Sequence, residues 1–298
     1  MQKPRHFLTL EDCSREELLA LLKRTGELKA GIPRPGKPKP LDGRYVGMIF
    51  EKPSTRTRVS FQVGVSQLGG QAIFLNSREI QIGRGEPIPD TARVLSRYLD
   101  AIIIRTFGHE VLEEFARWSS IPVINGLSDT HHPCQILGDL FTLQEQGLDV
   151  LTMKAAWVGD GNNVANSWIE AASILGFSLK LACPVGYEPH LEGDPEKVTL
   201  VRDPSEAVRD ADVVSTDVWA SMGQEDETDV RQQVFRGYQV NSELLKGAKE
   251  GVYVLHCLPA HRGEEISDEV MESPRSLVWD EAENRLHVQK AILEMLVE

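Results

Sequence analysis

Positive charge is scarce in this chain, cysteine is sparse, and long hydrophobic runs are missing. Lys and Arg number 32 against 45 Asp and Glu in 298 residues, a formal net charge of −13. That balance opposes non-specific binding to nucleic acid, so no nucleic-acid partner is expected. The four cysteines, Cys13, Cys134, Cys183 and Cys257, show no CxxC spacing. Neither a zinc ribbon nor a disulfide framework is indicated, and a reducing, cytoplasmic setting is expected. No apolar run reaches the length of a membrane span, and the N-terminal Met1-Gln2-Lys3-Pro4-Arg5-His6 lacks the apolar segment of a signal peptide. Internal repeats and low-complexity tracts are also lacking. At 41% hydrophobic residues the chain can still bury a sizeable core, enough for two domains.

Against this acidic background one stretch concentrates donors. Ser54-Thr55-Arg56-Thr57-Arg58 follows the apolar run Tyr45–Phe50, of strand length, and opens a segment in which Phe61, Val65 and Leu68 recur at helical spacing. Gly69-Gly70 offers that helix a C-terminal stop. A helix N-terminus has free N–H groups and the positive end of a dipole, and hydroxyls with a guanidinium turn it into a site for phosphate or carboxylate. A capped helix start with solvated charges is the alternative.

The rest of the first half alternates strand and helix. Ser14 and Glu17 form a capping-box pattern for a helix over 14–29, and the proline-rich 31–43 reads as a loop. Strands are expected at 71–76, 101–105 and 122–125. A polar loop spans 77–89, and helices run from Asp90 to Tyr98 and over 110–118. The β-branched run Ala101–Arg105 predicts a strand covered on both faces. A second series places strands at 154–159, 179–183, 211–216 and 252–257. Val164, Trp168, Ala171 and Leu175 mark a helix ending at Gly176, and 219–237 reads as a second long polar loop. An amphipathic helix closes the chain from about 281 to 298. The pattern is α/β: two domains, each a parallel sheet flanked by helices.

Ligands in such sheets bind beyond the carboxyl ends of the strands. Arg105, Asn125, the run His131-His132-Pro133-Cys134-Gln135, Asp160-Gly161-Asn162-Asn163, Asp217 and Cys257 all fall there. Each has a structural alternative: His132 as a satisfied loop histidine, Cys257 as a small buried hydrophobe, Asp217 as a helix cap. Arg105 is harder to set aside, because a guanidinium ending an apolar strand needs a partner. Gly159-Asp160-Gly161 suggests a dinucleotide turn, but position 164 is Val rather than the third glycine. The following strand also ends at Cys183-Pro184 instead of an acidic residue. NAD binding is therefore disfavoured.

Six segments in order then resemble the transcarbamoylase family, and within it the members that use ornithine. They are 54–58 (STRTR), 80–86 (IQIGRGE), 132–135 (HPCQ), 159–163 (GDGNN), 217–223 (DVWASMG) and 256–263 (HCLPAHRG). Gln62 departs from the Glu usual after Ser-Phe, away from the phosphate end. The resemblance implies a carbamoyl phosphate domain over 1–145, to which the helix at about 283–298 returns. It implies an ornithine domain over 146–282 and an active site in the interdomain cleft. It implies transfer of the carbamoyl group of carbamoyl phosphate to the δ-amine of L-ornithine, giving L-citrulline and phosphate. A homotrimer, or a multiple of trimers, is implied, with no metal, no organic cofactor and no membrane partner.

Carried over residue by residue, the resemblance puts Ser54, Thr55, Arg56 and Thr57 on the phosphate. Arg105 and His132 go to the carbonyl oxygen. Pro133, Cys134, Gln135, Cys257 and Leu258 surround the carbamoyl amine, and Gln81 and Arg285 are further contacts. Asn163, Asp217, Ser221 and Met222 clamp the amino acid. Asp217 and Cys257 are the candidates for favouring the neutral amine, and no covalent cysteine intermediate is expected. The family reading makes 219–237 a lid and brings loop 77–89 toward a neighbouring subunit's site.

Overall fold

In the computed structural model, residues 3–33, 36, 39–76, 85–221, 223 and 225–297 are described. The chain divides into two compact units, residues 1–141 with 284–298, and residues 142–283.

The first unit holds a four-stranded parallel sheet. Its strands are β1 (Tyr45–Phe50), β2 (Gln71–Asn76), β3 (Ala101–Arg105) and β4 (Val123–Leu127), in the order β2-β1-β3-β4. The helices are α1 (Arg15–Lys29), α2 (Thr55–Gln67), α3 (Ile88–Leu95), α4 (His109–Trp118) and α5 (Pro133–Glu145). Ser14 caps α1 reciprocally with Glu17, as the spacing predicts. β3 is buried along its whole length. Ile102 and Ile104 pack with Ile49, Leu112, Phe115 and Val123, each such side chain contributing ~1.5–3 kcal/mol of apolar burial.

The second unit holds a five-stranded parallel sheet. Its strands are β5 (Lys154–Val158), β6 (Ser178–Ala182), β7 (Val198–Val201), β8 (Val213–Thr216) and β9 (Tyr253–His256), in the order β7-β6-β5-β8-β9. The helices are α6 (Asn163–Leu175), α7 (Pro204–Val208), α8 (Thr228–Val234), α9 (Ser242–Leu245) and α10 (Asp268–Met271). The last helix, α11 (Val278–Leu296), completes the chain. Ala156, Val158, Val214, Val254, Ile266 and Val270 form this unit's core. The fold is thus two parallel α/β sheets flanked by helices.

Three features depart from the sequence reading. β7 is an edge strand of four residues, mostly solvent-facing, whose short run Val198-Thr199-Leu200-Val201 lies between the charged Lys197 and Arg202. Helix α3 starts at Ile88, inside the stretch read as loop. Pro89 sits in its first turn, where the missing N–H has no helical acceptor to serve. The stretch 219–237 is not a plain loop but carries α8, flanked by 3-10 turns at Glu225–Glu227 and Phe235–Gly237.

Candidate active site

In each sheet the strand order turns about one strand, and the polar residues gather there. In the first unit β1 lies between β2 and β3; in the second, β5 lies between β6 and β8. Loops that leave neighbouring strands in opposite directions open a crevice at this point.

The first unit's crevice begins with α2. Ser54 is its N-cap, accepting from the Thr57 N–H at 3.2 Å. Thr55 is exposed, Arg56 half-buried and Thr57 buried. Arg58 turns away and lays its guanidinium 3.6 Å over the Phe74 ring, so one guanidinium rather than two remains at the helix end. From α11, buried Arg285 donates to Thr57 Oγ1 at 3.1 Å and to Gln135 Oε1. Gln135 in turn donates to buried Asp139 at 2.8 Å. A Cβ on Gly138 would stand 3.2 Å from Arg285 Cδ, so glycine leaves the passage for the arginine stem.

Arg105 ends β3 and is only 5% exposed; His132, just before α5, is 4% exposed. Burial first, then the positive charges of Arg285 and Arg105, hold His132 well below the ordinary histidine range. It is therefore a neutral imidazole at assay pH, able to donate one hydrogen bond without adding a charge. Pro133 opens α5. Cys134 is buried, its thiol on the Asn125 carbonyl at 3.4 Å, and burial pushes it up to about 12. That places Cys134 as packing rather than as a nucleophile.

The second unit's crevice is built from the turns after β5, β8 and β9. Asp217 follows β8. Its Oδ1 accepts from the Val218 N–H at 2.8 Å and from the Cys257 thiol at 3.0 Å, and its Oδ2 from Asn162 Nδ2 at 2.8 Å. Cys257 follows β9 and is half-buried. Leu258 adopts a left-handed backbone, φ 57°, which costs a branched side chain energy unless its surroundings fix it. Its N–H donates to His256 Nδ1 at 2.9 Å. The ring proton therefore sits on His256 Nε2, 2.9 Å from buried Glu265 Oε1, which also accepts from the His261 N–H at 2.6 Å.

Asn163, the first residue of α6, is nearly buried, and Ser221 is half-buried. Gln81 and Met222 lie outside the described residues. The turn after β5 also explains the glycine that resembled a dinucleotide fingerprint. A Cβ on Gly161 would fall 2.2 Å from the Pro189 nitrogen, so the residue makes room for a neighbouring backbone. Asp160 pairs with Arg231 of α8 at 3.2 Å. Burial pushes its carboxyl up to about 6, with Arg231 pulling the other way. Arg231 also donates to the Trp219 carbonyl at 2.9 Å and lies 4.8 Å from the Tyr187 ring centroid, which ties α8 to the turn before it.

Sequence reasoning assigned no role to Asn162, Asp139, Glu265 or Arg231. Asn162 carried a signal, since an Asn directly before an apolar-periodic helix is a cap position. The other three depend on contacts between distant segments. Asp217, His256 and Cys257 bring possible metal-ligand atoms within 4.8 Å of one another, as do His261, Glu264 and Glu265. Both His256 nitrogens and the Cys257 thiol are already engaged with protein partners, so this arrangement suits a hydrogen-bond network and not a resident metal.

Comparison with known proteins matches two family models in turn along the chain. Residues 5–145 match the carbamoyl-P binding domain of aspartate/ornithine carbamoyltransferase, and residues 152–296 match its Asp/Orn binding domain. The chain is 58% identical to an ornithine carbamoyltransferase from Geobacter metallireducens, covering 98% of this chain and 99% of that one. It is also 58% identical to an anabolic ornithine carbamoyltransferase from Pseudomonas aeruginosa, covering 99% and 97%. Among solved structures, an ornithine carbamoyltransferase from Pyrococcus furiosus superposes with a TM-score of 0.91 at 47% identity, covering 99% of this chain and 97% of that one. Likeness of this extent, along the whole length and in both halves, means that the chain belongs to the aspartate/ornithine carbamoyltransferase family.

Proposed function

We propose a residue-by-residue division of labour for a carbamoyl transfer. The chain is a carbamoyl-group transferase: it moves the carbamoyl group of carbamoyl phosphate to the δ-amine of L-ornithine, giving L-citrulline and phosphate. The amine nitrogen bonds to the carbonyl carbon, the bond from that carbon to the phosphate oxygen breaks, and the nitrogen gives up a proton. The observation that carries the reading is whole-length similarity to ornithine carbamoyltransferases, with an anion-binding helix end in one unit and a carboxylate–thiol pair in the other.

The donor phosphate sits on Ser54, Thr55, Arg56 and Thr57, where free N–H groups and the helix dipole favour an anion. Arg285 braces this helix end against Gln135. Arg105 and neutral His132 donate to the carbonyl oxygen as it gains charge. Gln135, whose Oε1 accepts from Arg285, and the Cys257-Leu258 backbone are assigned to the carbamoyl amine. Gln81 completes the donor contacts. Asn163, Asp217, Ser221 and Met222 hold the amino acid's head group, and Asp217 with Cys257 favours the neutral form of the δ-amine. Fixing both ends of ornithine aims its nitrogen at the carbon. The domain assignment follows: residues 1–145 with the terminal helix for carbamoyl phosphate, residues 146–282 for ornithine.

The protein acts in the cytoplasm as a homotrimer or a multiple of trimers, in arginine biosynthesis; the word anabolic in the name of the Pseudomonas aeruginosa relative supports the biosynthetic direction. Exposed Val59 and Val63, one turn apart on α2, are apolar surface that a neighbouring subunit would cover. Among the described residues no helix is long and apolar enough to cross a membrane. The test is colorimetric detection of citrulline from purified protein, carbamoyl phosphate and L-ornithine, with putrescine and L-aspartate as competing acceptors. Carbamoylation of either alternative in place of ornithine would overturn the assignment, and light scattering that gives a monomer would overturn the trimer.

A further inference from the structure

Asn162 meets two demands with one amide. As N-cap of α6 its Oδ1 accepts from the N–H groups of Val164 at 2.9 Å and Ala165 at 3.2 Å. Backbone N–H groups only donate, so the atom facing the helix must be oxygen and the NH2 must face the other way. It faces Asp217 Oδ2 at 2.8 Å. Asn162 belongs to the turn after β5 and Asp217 to the turn after β8, neighbours in the sheet, so the bond spans the crevice at its base. The other oxygen of Asp217 is held by the Val218 N–H and the Cys257 thiol. Both oxygens are thus fixed from different segments, Oδ1 by two donors and Oδ2 by the Asn162 amide, and a carboxylate oxygen with one donor can accept another.

We infer that Asn162 is a positioning residue for the acceptor amine: capping α6 forces its NH2 onto Asp217 and sets the carboxylate in the orientation that receives the ornithine δ-amine. The inference deepens the proposed function and rests on it. It also separates two adjacent asparagines. Asn163 lies one residue inside the helix, where its side chain points some 100° away from that of Asn162.

Two substitutions keep the cap and change only the donor. Asp and Ser are N-caps about as good as Asn, so Asn162→Asp and Asn162→Ser leave α6 closed. Asn162→Asp sets a second carboxylate against Asp217, and neighbouring like charges raise the titration of the pair. The expected result is a roughly 100-fold fall in kcat/KM for ornithine, the scale of a misplaced reacting group. The acid limb of the pH profile moves upward, while KM for carbamoyl phosphate stays within about two-fold, because the altered bond lies on the acceptor side. Asn162→Ser, too short to reach, lowers kcat/KM by about ten-fold, the value of one lost hydrogen bond, without moving the acid limb.

A second readout needs no turnover. Cys13, Cys134 and Cys183 are buried, so iodoacetamide modification followed by intact mass reports Cys257. Its alkylation midpoint moves to higher pH in Asn162→Asp. Identical alkylation profiles together with unchanged kcat/KM for ornithine would overturn the inference, as would an equal rise in both substrates' KM. If the wild type makes no citrulline but the thiol midpoint still moves, the hold on Asp217 stands and the ornithine reading falls instead.

Discussion

The two units solve the same geometric problem with opposite chemistry. Each is a parallel sheet whose order turns about a central strand, and each gathers its polar groups at that turn. In the first unit the gathered groups are cationic, with Arg105 and buried Arg285 near a neutral His132 and Arg56 in the first turn of α2. In the second they are acidic and acceptor-rich, with Asp217 on a thiol and an amide, and Asp160 on Arg231. An acyl phosphate whose phosphate leaves as an anion needs the first set. An amino acid that arrives with a protonated side-chain amine needs the second. Sheet topology therefore supplies the place, and the side chains after the strands supply the sign.

The largest expected break in this contrast is at Arg105. Arg105→Ala is expected to remove the donor proposed for the developing oxyanion, lowering kcat roughly 100- to 1000-fold while KM for ornithine changes little. Steady-state kinetics with each substrate varied in turn measures it. Next comes a crossover between the units. Arg56→Ala raises KM for carbamoyl phosphate by about ten-fold or more and leaves ornithine nearly untouched; Asp217→Asn does the reverse. Equal weakening of both substrates in either variant would erase the distinction between a donor half and an acceptor half.

Arg285→Met is expected to act through Thr57 and Gln135. Removing a buried charged donor costs about 1.5–3 kcal/mol per hydrogen bond, so the chemical-denaturation midpoint drops along with carbamoyl phosphate affinity. A smaller effect of the same kind is expected at Gly138→Ala, whose new methyl would press on the Arg285 stem at 3.2 Å.

The smallest effect, and the finest test of the contrast, is the pH dependence of stability. His132 is held below its ordinary value, so its contribution is present above about pH 6.5 and is lost as pH falls and the buried ring must take a proton. Asp160 is raised from 3.8 to about 6, so its contribution is present below about pH 4 and is lost as pH rises through about 6. His132→Gln should therefore flatten the acid side of a stability–pH curve. Asp160→Asn should remove a decline between about pH 4 and pH 6. Urea denaturation across that range, read as slopes and not absolute values, separates the two.

Much of this was legible beforehand, for identifiable reasons. β3 announces itself because four buried apolar positions in a row, Ala101 to Ile104, precede Arg105. Helix α2 is legible because Ser54 caps it and its apolar face repeats. β7 was not legible, since four residues, Val198-Thr199-Leu200-Val201, are too few to show a period even when strand formers. Helix α8 was not legible, because what ties it down is Arg231 reaching Asp160 and the Trp219 carbonyl, a contact local spacing does not encode. Arg58 reads like Arg56 in sequence, yet it stacks on Phe74, because successive helix positions point about 100° apart.

From residue order alone came the alternation of strands and helices, the acidic balance, the donor-rich helix start and the residues that end strands. These are local properties, set by periodicity, capping and composition. Only the folded chain decided which of those residues meet: that Arg285 reaches Thr57 across more than two hundred positions, and that Asn162 rather than its neighbour holds Asp217. Contacts of that kind depend on which strands lie side by side and on how each side chain is turned, and neither is written into any short stretch of the chain.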